Sequence, residues 1–330
     1  MKTSVGNLVS AGAVLCLAAL LAQPQAAQAQ VWPARSVKII SVAPPGGAID
    51  LLARIVADDA SKTFNQPFVV ESRPGANGNI AVQAVVKEPP EGYFFFVGPP
   101  GPFSINQSIM SKMPFDPDKD IAPVAMLGVA PLVLVVHPSV PASNLTELLA
   151  WMKGRAGKVT YASSGVAGTG HLAMELFKAM TGVEATHIPY TNSAATATLD
   201  QIAGRIDVSF INTSTTLGYV AQGQLRAIGV AELKRISSAP NIPTLAEQGL
   251  PLFEATPWLA LATRKGVPRE IIQRMNEASA RALARPENLA RVHKIGNETR
   301  PMSVDQLTAF VRAETVKWAE IVKRSGAKID

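Results

Sequence analysis

Cysteine is almost absent from this sequence. Cys16 stands alone in 330 residues, so no disulfide can form within the chain. Charge is scarce as well, at 17% of residues against 47% hydrophobic. Disordered chains show the reverse balance, so a folded protein with ample core is expected, and the length allows two domains of ordinary size. Aromatic residues make up only 6%, with no aromatic-plus-basic stripe for single-stranded nucleic acid. The 31 Lys and Arg exceed the 25 Asp and Glu by little and form no dense basic run, which argues against a nucleic-acid partner.

The one long apolar run lies at the start. Lys2 supplies a positive charge, Val5 to Ala22 is mostly apolar and uncharged, and Ala27-Gln28-Ala29 gives an A-x-A cleavage pattern. Residues 1–29 therefore read as a signal peptide cut before Gln30. A membrane anchor is the rival, but Gly6, Asn7, Ser10 and Gly12 dilute the stretch and a cleavage site follows it. Leu15 before Cys16 does not suit lipoprotein processing. Removing the leader takes the only cysteine away and lowers the net charge from +6 to +5. No later run is long and charge-free enough to cross a bilayer, so no direct membrane insertion is expected and the mature chain reads as soluble.

After the leader, strands and helices alternate. Strands are predicted at 36–42, 67–71 and 93–98, with helices over 50–64 and 79–87, a βαβ rhythm that implies a mainly parallel sheet. Val124–Val136 is a long apolar run broken by Gly128 and Pro131, read as two strand segments at a crossover. The rhythm then restarts through a helix at 145–153, strands at 158–162, 185–190, 207–212 and 225–230, and helices at 170–180, 194–203 and 217–222. A Pro-rich loop over 240–254 precedes a return strand at 258–263. Two helices close the chain. One runs over 269–284 after Pro268; the other opens with Ser303 and Gln306 in capping-box spacing, buries Leu307, Val311, Trp318 and Val322, and ends at Gly326. The expected fold class is α/β, with two lobes joined by two crossover strands and a ligand cleft between them. Lobe 1 would comprise 30–131 and 257–330, and lobe 2 would comprise 132–256.

Three strands end in Gly- or Ser-rich turns that lead into helices. They are Pro44-Pro45-Gly46-Gly47-Ala48-Ile49-Asp50, Ser163-Ser164-Gly165-Val166-Ala167-Gly168-Thr169-Gly170-His171, and Tyr190-Thr191-Asn192-Ser193-Ala194-Ala195. A helix N-terminus offers unpaired N–H groups and about half a positive charge. Turns of this kind on one edge can hold an anion without lysine or arginine; ordinary turn and capping chemistry explains each one taken singly. Gly165 and Gly170 have phosphate-loop spacing, but His171 and Leu172 follow where Lys and Ser/Thr are needed, so a nucleotide is excluded. Ser163 and Ser164 lack the G-x-S-x-G elbow, though a distant His and Asp leave a serine hydrolase open. His171 and Glu175 share a helix face without a third ligand, and His137, His187 and His293 add none at useful spacing. No metal and no cofactor is expected; the plain reading is that His171 caps its helix turn and Glu175 is solvated.

These segments resemble the Bug family, the substrate-binding receptors of tripartite tricarboxylate transporters. The resemblance spans the mature chain. It rests on Trp32-Pro33 with Val37–Val42, on Pro45-Gly46-Gly47-x-x-Asp50-x-x-Ala53-Arg54 and on Glu71-x-Arg73-Pro74-Gly75-Ala76-x-Gly78. It continues through Pro90-Glu91-Gly92-Tyr93, Pro114-Phe115-Asp116-Pro117-x-Lys119-Asp120, Tyr161-Ala162-Ser163 to Ala173, and His187-Ile188-Pro189-Tyr190. Leu225–Ile228, Pro240-x-x-Pro243-Thr244-x-x-Glu247, Trp318 and Gly326–Asp330 complete it.

The resemblance implies a type II periplasmic-binding fold and an exported, monomeric receptor without catalysis. It implies a small carboxylate ligand, an inner-membrane tripartite permease as partner, and closure of the lobes on the ligand. The ligand set carried over is Pro45, Gly46, Gly47, Ala48, Ile49 and Asp50 in the first loop, and Ser163, Ser164, Gly168, Thr169 and His171 in the second. Thr191, Asn192, Ser193 and Ala194 form the third, with Asn212 nearby. Three places depart from the family pattern. Ile49 stands where Thr is frequent, Thr191-Asn192 replace Lys-Gly, and Ile211 replaces an acidic residue. Ile49 and Ile211 would favour a ligand with an apolar part, such as an aromatic carboxylate. A receptor's sequence leaves a sensor or scavenger role open beside transport.

Overall fold

The computed structural model describes residues 32–190 and 194–329. The leader, its cleavage site, and Thr191, Asn192 and Ser193 lie outside the described residues. Trp32 to Ala34 are a short lead-in with a cis bond between Trp32 and Pro33, and a compact unit begins at Arg35.

That unit opens with β1 (Val37–Ser41), α1 (Ala48–Phe64), β2 (Phe68–Ser72), α2 (Asn79–Val86) and β3 (Phe94–Gly98). A π-turn at Gly101–Ile105 runs into α3 (Asn106–Ile109), and α4 (Pro117–Asp120) leads into β4 (Ile121–Val129). The chain then enters a second sheet through β5 (Leu132–Val136), α5 (Leu145–Lys153), β6 (Thr160–Ser163), α6 (Thr169–Thr181) and β7 (Thr186–Pro189). It continues with α7 (Ala194–Ile202), β8 (Val208–Asn212), α8 (Thr213–Ala221) and β9 (Arg226–Val230). It returns through β10 (Trp258–Arg264) and ends in α9 (Arg269–Ala284), α10 (Pro286–Lys294) and α11 (Val304–Ser325).

The two five-stranded sheets have one plan. Their orders are β2-β1-β3-β10-β4 and β7-β6-β8-β5-β9. In each, three strands run parallel and the fourth, antiparallel, is the strand entered directly after the chain crosses from the other sheet. β1 (VKIIS) and β5 (LVLVV) are the near-continuous apolar runs expected of strands covered on both faces, whereas β7 (THIP), at an edge, is half exposed. The fold is thus a two-lobed α/β architecture, as the sequence rhythm implies.

The chain is pinned where it crosses between the sheets. Ala130 N–H donates to Pro257 O at 2.7 Å, so the two crossings lie side by side. Val129 also exchanges backbone hydrogen bonds with Glu298 at 2.8 and 2.9 Å. α11 serves both cores. Leu307 and Val311 pack with the first sheet, while Trp318, Ile321 and Val322 pack with the second. Midway, buried Glu314 Oε2 accepts from Trp258 Nε1 at 3.0 Å and from Trp318 Nε1 at 2.8 Å. The capping box of Ser303 and Gln306 is formed, and Gly326 ends α11 in the left-handed conformation at φ 66°. Three short or amphipathic pieces lie beyond the sequence reading: the π-turn with α3, then α4, then α10.

Candidate ligand cleft

A cavity of about 340 Å³ lies between the turns of the two sheets. The first sheet contributes Val42, Ile49, Gly75, Asn77, Gly78 and Pro99 to Gly101, together with Ile105, Asn106 and Ile109 from the turn that follows. The second contributes Ala167, Gly168 and Thr169. No lining residue is charged. Three helices begin at this cavity: α1 behind Gly47, α2 behind Gly78 and α6 behind Gly168, none with a side-chain cap. Their first turns supply N–H donors and partial positive charge without a cationic side chain, although the Asn79 N–H of α2 is already given to Ala76 O. Gly78 is required by geometry, since its φ is +89° and a Cβ there would stand 2.8 Å from Pro102 Cγ.

The predicted residues divide into lining, supporting and distant groups. Ile49, Gly168 and Thr169 line the cavity. Pro45, Gly46 and Gly47 are exposed in the loop before α1, and Ala48 is half-buried. Asp50 is buried and turned into its own loop, where Oδ2 accepts from Gly46 N at 3.0 Å and from Arg54 Nε at 2.9 Å. The Arg54 guanidinium, with the Gly46 amide, holds this carboxyl below its usual range against the opposing effect of burial. Asp50 therefore shapes the loop. Ser164 is exposed, and Asn212 is half-buried at the end of β8, outside the lining set. Ala194 opens α7, and the three residues before it are not described.

Ile211 lies outside the cavity lining. Its side chain is buried with Val133, Val135 and Val230. Strand alternation places it there, because Phe210 and Ile211 face opposite ways and Phe210 joins the other core. The predicted ligand set lacks Val42, Ile105, Asn106, Ile109 and Ala167 from this lining, and it lacks the turns Gly75–Gly78 and Pro99–Gly101. The signal of the two turns was present, since each follows a strand with the same Gly- or Pro-rich device.

Behind the second loop lies a stack of rings. Tyr161 and His187 have centroids 4.8 Å apart, and His187 and His171 4.1 Å apart. Ser163 Oγ meets His187 Nε2 at 2.7 Å, and Ala167 N–H donates to His171 Nδ1 at 3.0 Å. Glu175 is not solvated, contrary to expectation. It accepts from the buried Tyr161 hydroxyl at 2.7 Å and from Lys178 at 2.8 Å, because a buried phenol needs a partner. Burial raises the Glu175 pKa, but Lys178 and Tyr161 outweigh it and hold the carboxyl low. Burial disfavours the charged form of both histidines, lowering His171 and taking His187 down to about 4. Among the described residues no cluster of three metal ligands occurs. Ser163 is only 4% exposed and already engages the C=O and N–H of Gly165, a poor setting for a nucleophile.

A family model described as "Tripartite tricarboxylate transporter family receptor" matches residues 52–327. The chain belongs to this family. Its members are periplasmic substrate-binding receptors, so the chain is a receptor and not an enzyme, and the hydrolase alternative falls. Protein BugT of Bordetella pertussis is 33% identical over 302 residues, covering 91% of this chain and 92% of that one. The R. palustris protein Rpa4515, solved with adipate, superposes with a TM-score of 0.74 at 33% identity, covering 90% of this chain and all of the other (100%). MatC from Rhodopseudomonas palustris, solved with bound malate, gives 0.69 at 26% identity, covering 88% and 100% of the two chains. Among the described residues, no helix of this receptor is long and apolar enough to cross a membrane.

Proposed function

We propose that this receptor is exported by the leader at 1–29 and captures a small organic carboxylate with an apolar body. The observation that carries the reading is the cavity itself, which combines three uncapped helix N-termini with a lining free of lysine, arginine and carboxylate. An anionic group held there would be met by backbone N–H groups and hydroxyls such as that of Thr169. Ile49, Ile105 and Ile109 on the same walls suit a hydrocarbon portion. The adipate and malate in its two structural relatives belong to the same chemical class. The lobes, 30–131 with 257–330 and 132–256, close on the ligand, and the closed form is presented to a tripartite membrane permease. Closure requires that the ligand bind the closed state more tightly.

Thermal-shift titration with adipate, malate and benzoate tests the ligand class. A binder should raise the melting temperature, the more so the larger the ratio of its concentration to its Kd. The expected order places adipate and benzoate above malate, whose hydroxyl meets an apolar wall. No shift with any carboxylate would overturn the reading. Small-angle scattering should show a smaller radius of gyration with a tight ligand, and an unchanged radius would count against closure.

A further inference from the structure

The turn that carries the second half of the cavity contains a conformational oddity. Ala167 has φ +59°, a left-handed backbone in a residue with a Cβ. Such a conformation persists only where neighbouring contacts impose it. Ala167 lines the cavity and immediately precedes Gly168, the start of α6. Its backbone direction therefore decides where the first N–H groups of α6 point.

Two imidazoles hold this turn at its ends. At the start, His187 Nε2 meets Ser163 Oγ at 2.7 Å. At the end, His171 Nδ1 accepts the Ala167 N–H at 3.0 Å. The rings stack with planes 10° apart, so neither anchor can swing without the other. The hydrogen bonds suit one tautomer at each ring. With its proton on Gly165 O at 2.9 Å, Ser163 Oγ accepts from Gly165 N at 3.2 Å and is placed to accept an Nε2–H from His187. His171 uses its Nδ1 lone pair for Ala167, so its proton sits on Nε2. Neither ring is among the lining residues of the cavity.

We propose that His171 and His187 are positioning residues for the ligand, a stacked pair that clamps both ends of the Ser163–Ala167 turn and aims the α6 N-terminus at the cavity. This rests on the receptor function proposed above, but the clamp can be tested without a ligand. The competing role is core packing alone.

Two substitutions separate these roles. His171→Phe keeps the ring and the stack but removes the acceptor. His171→Asn loses the ring but places Oδ1 where Nδ1 stood. Amide hydrogen exchange at Ala167, read by NMR on the ligand-free protein, should speed up by about tenfold or more in His171→Phe, as expected for loss of one hydrogen bond. His171→Asn should retain protection to within about threefold even if it melts earlier. Calorimetric titration with adipate should follow the same order, with affinity weakened about tenfold in the Phe variant and kept in the Asn variant. Packing alone predicts the opposite order, and that result would overturn the clamp. Absence of adipate binding to the unmodified receptor would count against the ligand class, while Ala167 exchange would still decide the clamp. Should a variant not fold, imidazole nitrogen shifts of the unmodified protein decide it. Both rings should be neutral with the proton on Nε2, and a proton on His171 Nδ1 would refute the clamp.

Discussion

His171 and His187 stack ring on ring with centroids 4.1 Å apart, one from the first turn of α6 and the other from β7. Two imidazoles so placed cannot both be charged at modest cost, and the second lobe is expected to lose stability in acid.

Burial, followed by the neighbouring His171, pushes His187 down to about 4 from its ordinary 6.5, against the pull of Glu175. A depressed pKa means that the unfolded chain binds the proton first. Stability from this group is therefore complete above about pH 6.5 and is lost as pH falls toward 4. The ring is partly exposed, so the loss should be about 2 kcal/mol rather than the full value of the shift. Buried Glu232, whose pKa is raised by burial, acts in the opposite sense, so the effect is read as a difference. Urea unfolding between pH 4 and 7 should show a shallower acid decline in His187→Gln than in the unmodified protein. Parallel declines would refute the assignment.

Arg300 ties the returning chain to the second lobe. It pairs with Glu254 at 2.7 Å and with Glu232, whose side chain is only 5% exposed. Arg300→Met leaves the Glu232 carboxylate buried without its cation and should cost about 3 kcal/mol. Adding Glu232→Gln should recover part of that loss, and strict additivity in denaturation midpoints would show that the pair is not coupled.

Gly170 is packed against the neighbouring strand. A Cβ there would stand 2.6 Å from Phe210 O, whereas a Cβ at Gly47 meets nothing within 4 Å. Gly170→Ala should displace α6 and cost roughly 1–3 kcal/mol. Gly47→Ala should leave stability within about 0.5 kcal/mol. Equal melting temperatures for the two variants would contradict this packing.

The capping box at the start of α11 contributes locally. Ser303→Ala removes the acceptor for Gln306 N–H, 3.2 Å away, and should cost about 1 kcal/mol in chemical denaturation. A neutral substitution would mean that this helix end frays in the native protein.

Much of the fold was legible along the chain. The limits of α5 and α9, the Ser303–Gln306 box and the stop at Gly326 follow from short-range signals: apolar period, caps and a left-handed glycine. The Pro-Gly sequence of the π-turn at Gly101–Ile105 reads as a loop, and only contact with α11 and burial of Phe103 in the first core and Ile105 in the second make it regular. At the site, the Gly-rich turns before α1 and α6 were visible as anion devices. The placement of Ile211 outside the cavity lining was not, because it depends on how the second sheet packs into its two cores.

The sequence by itself determined the alternation of strands and helices, the two-lobed α/β class and the uncapped helix starts, since each arises from residues a few positions apart. Tertiary structure alone decided that Ile49, Gly78 and Gly168 share one cavity and that His171 rests on His187. Those meetings depend on strand order and on crossings between two sheets. Hydrophobic burial over the whole unit selects that arrangement, and no local pattern encodes it.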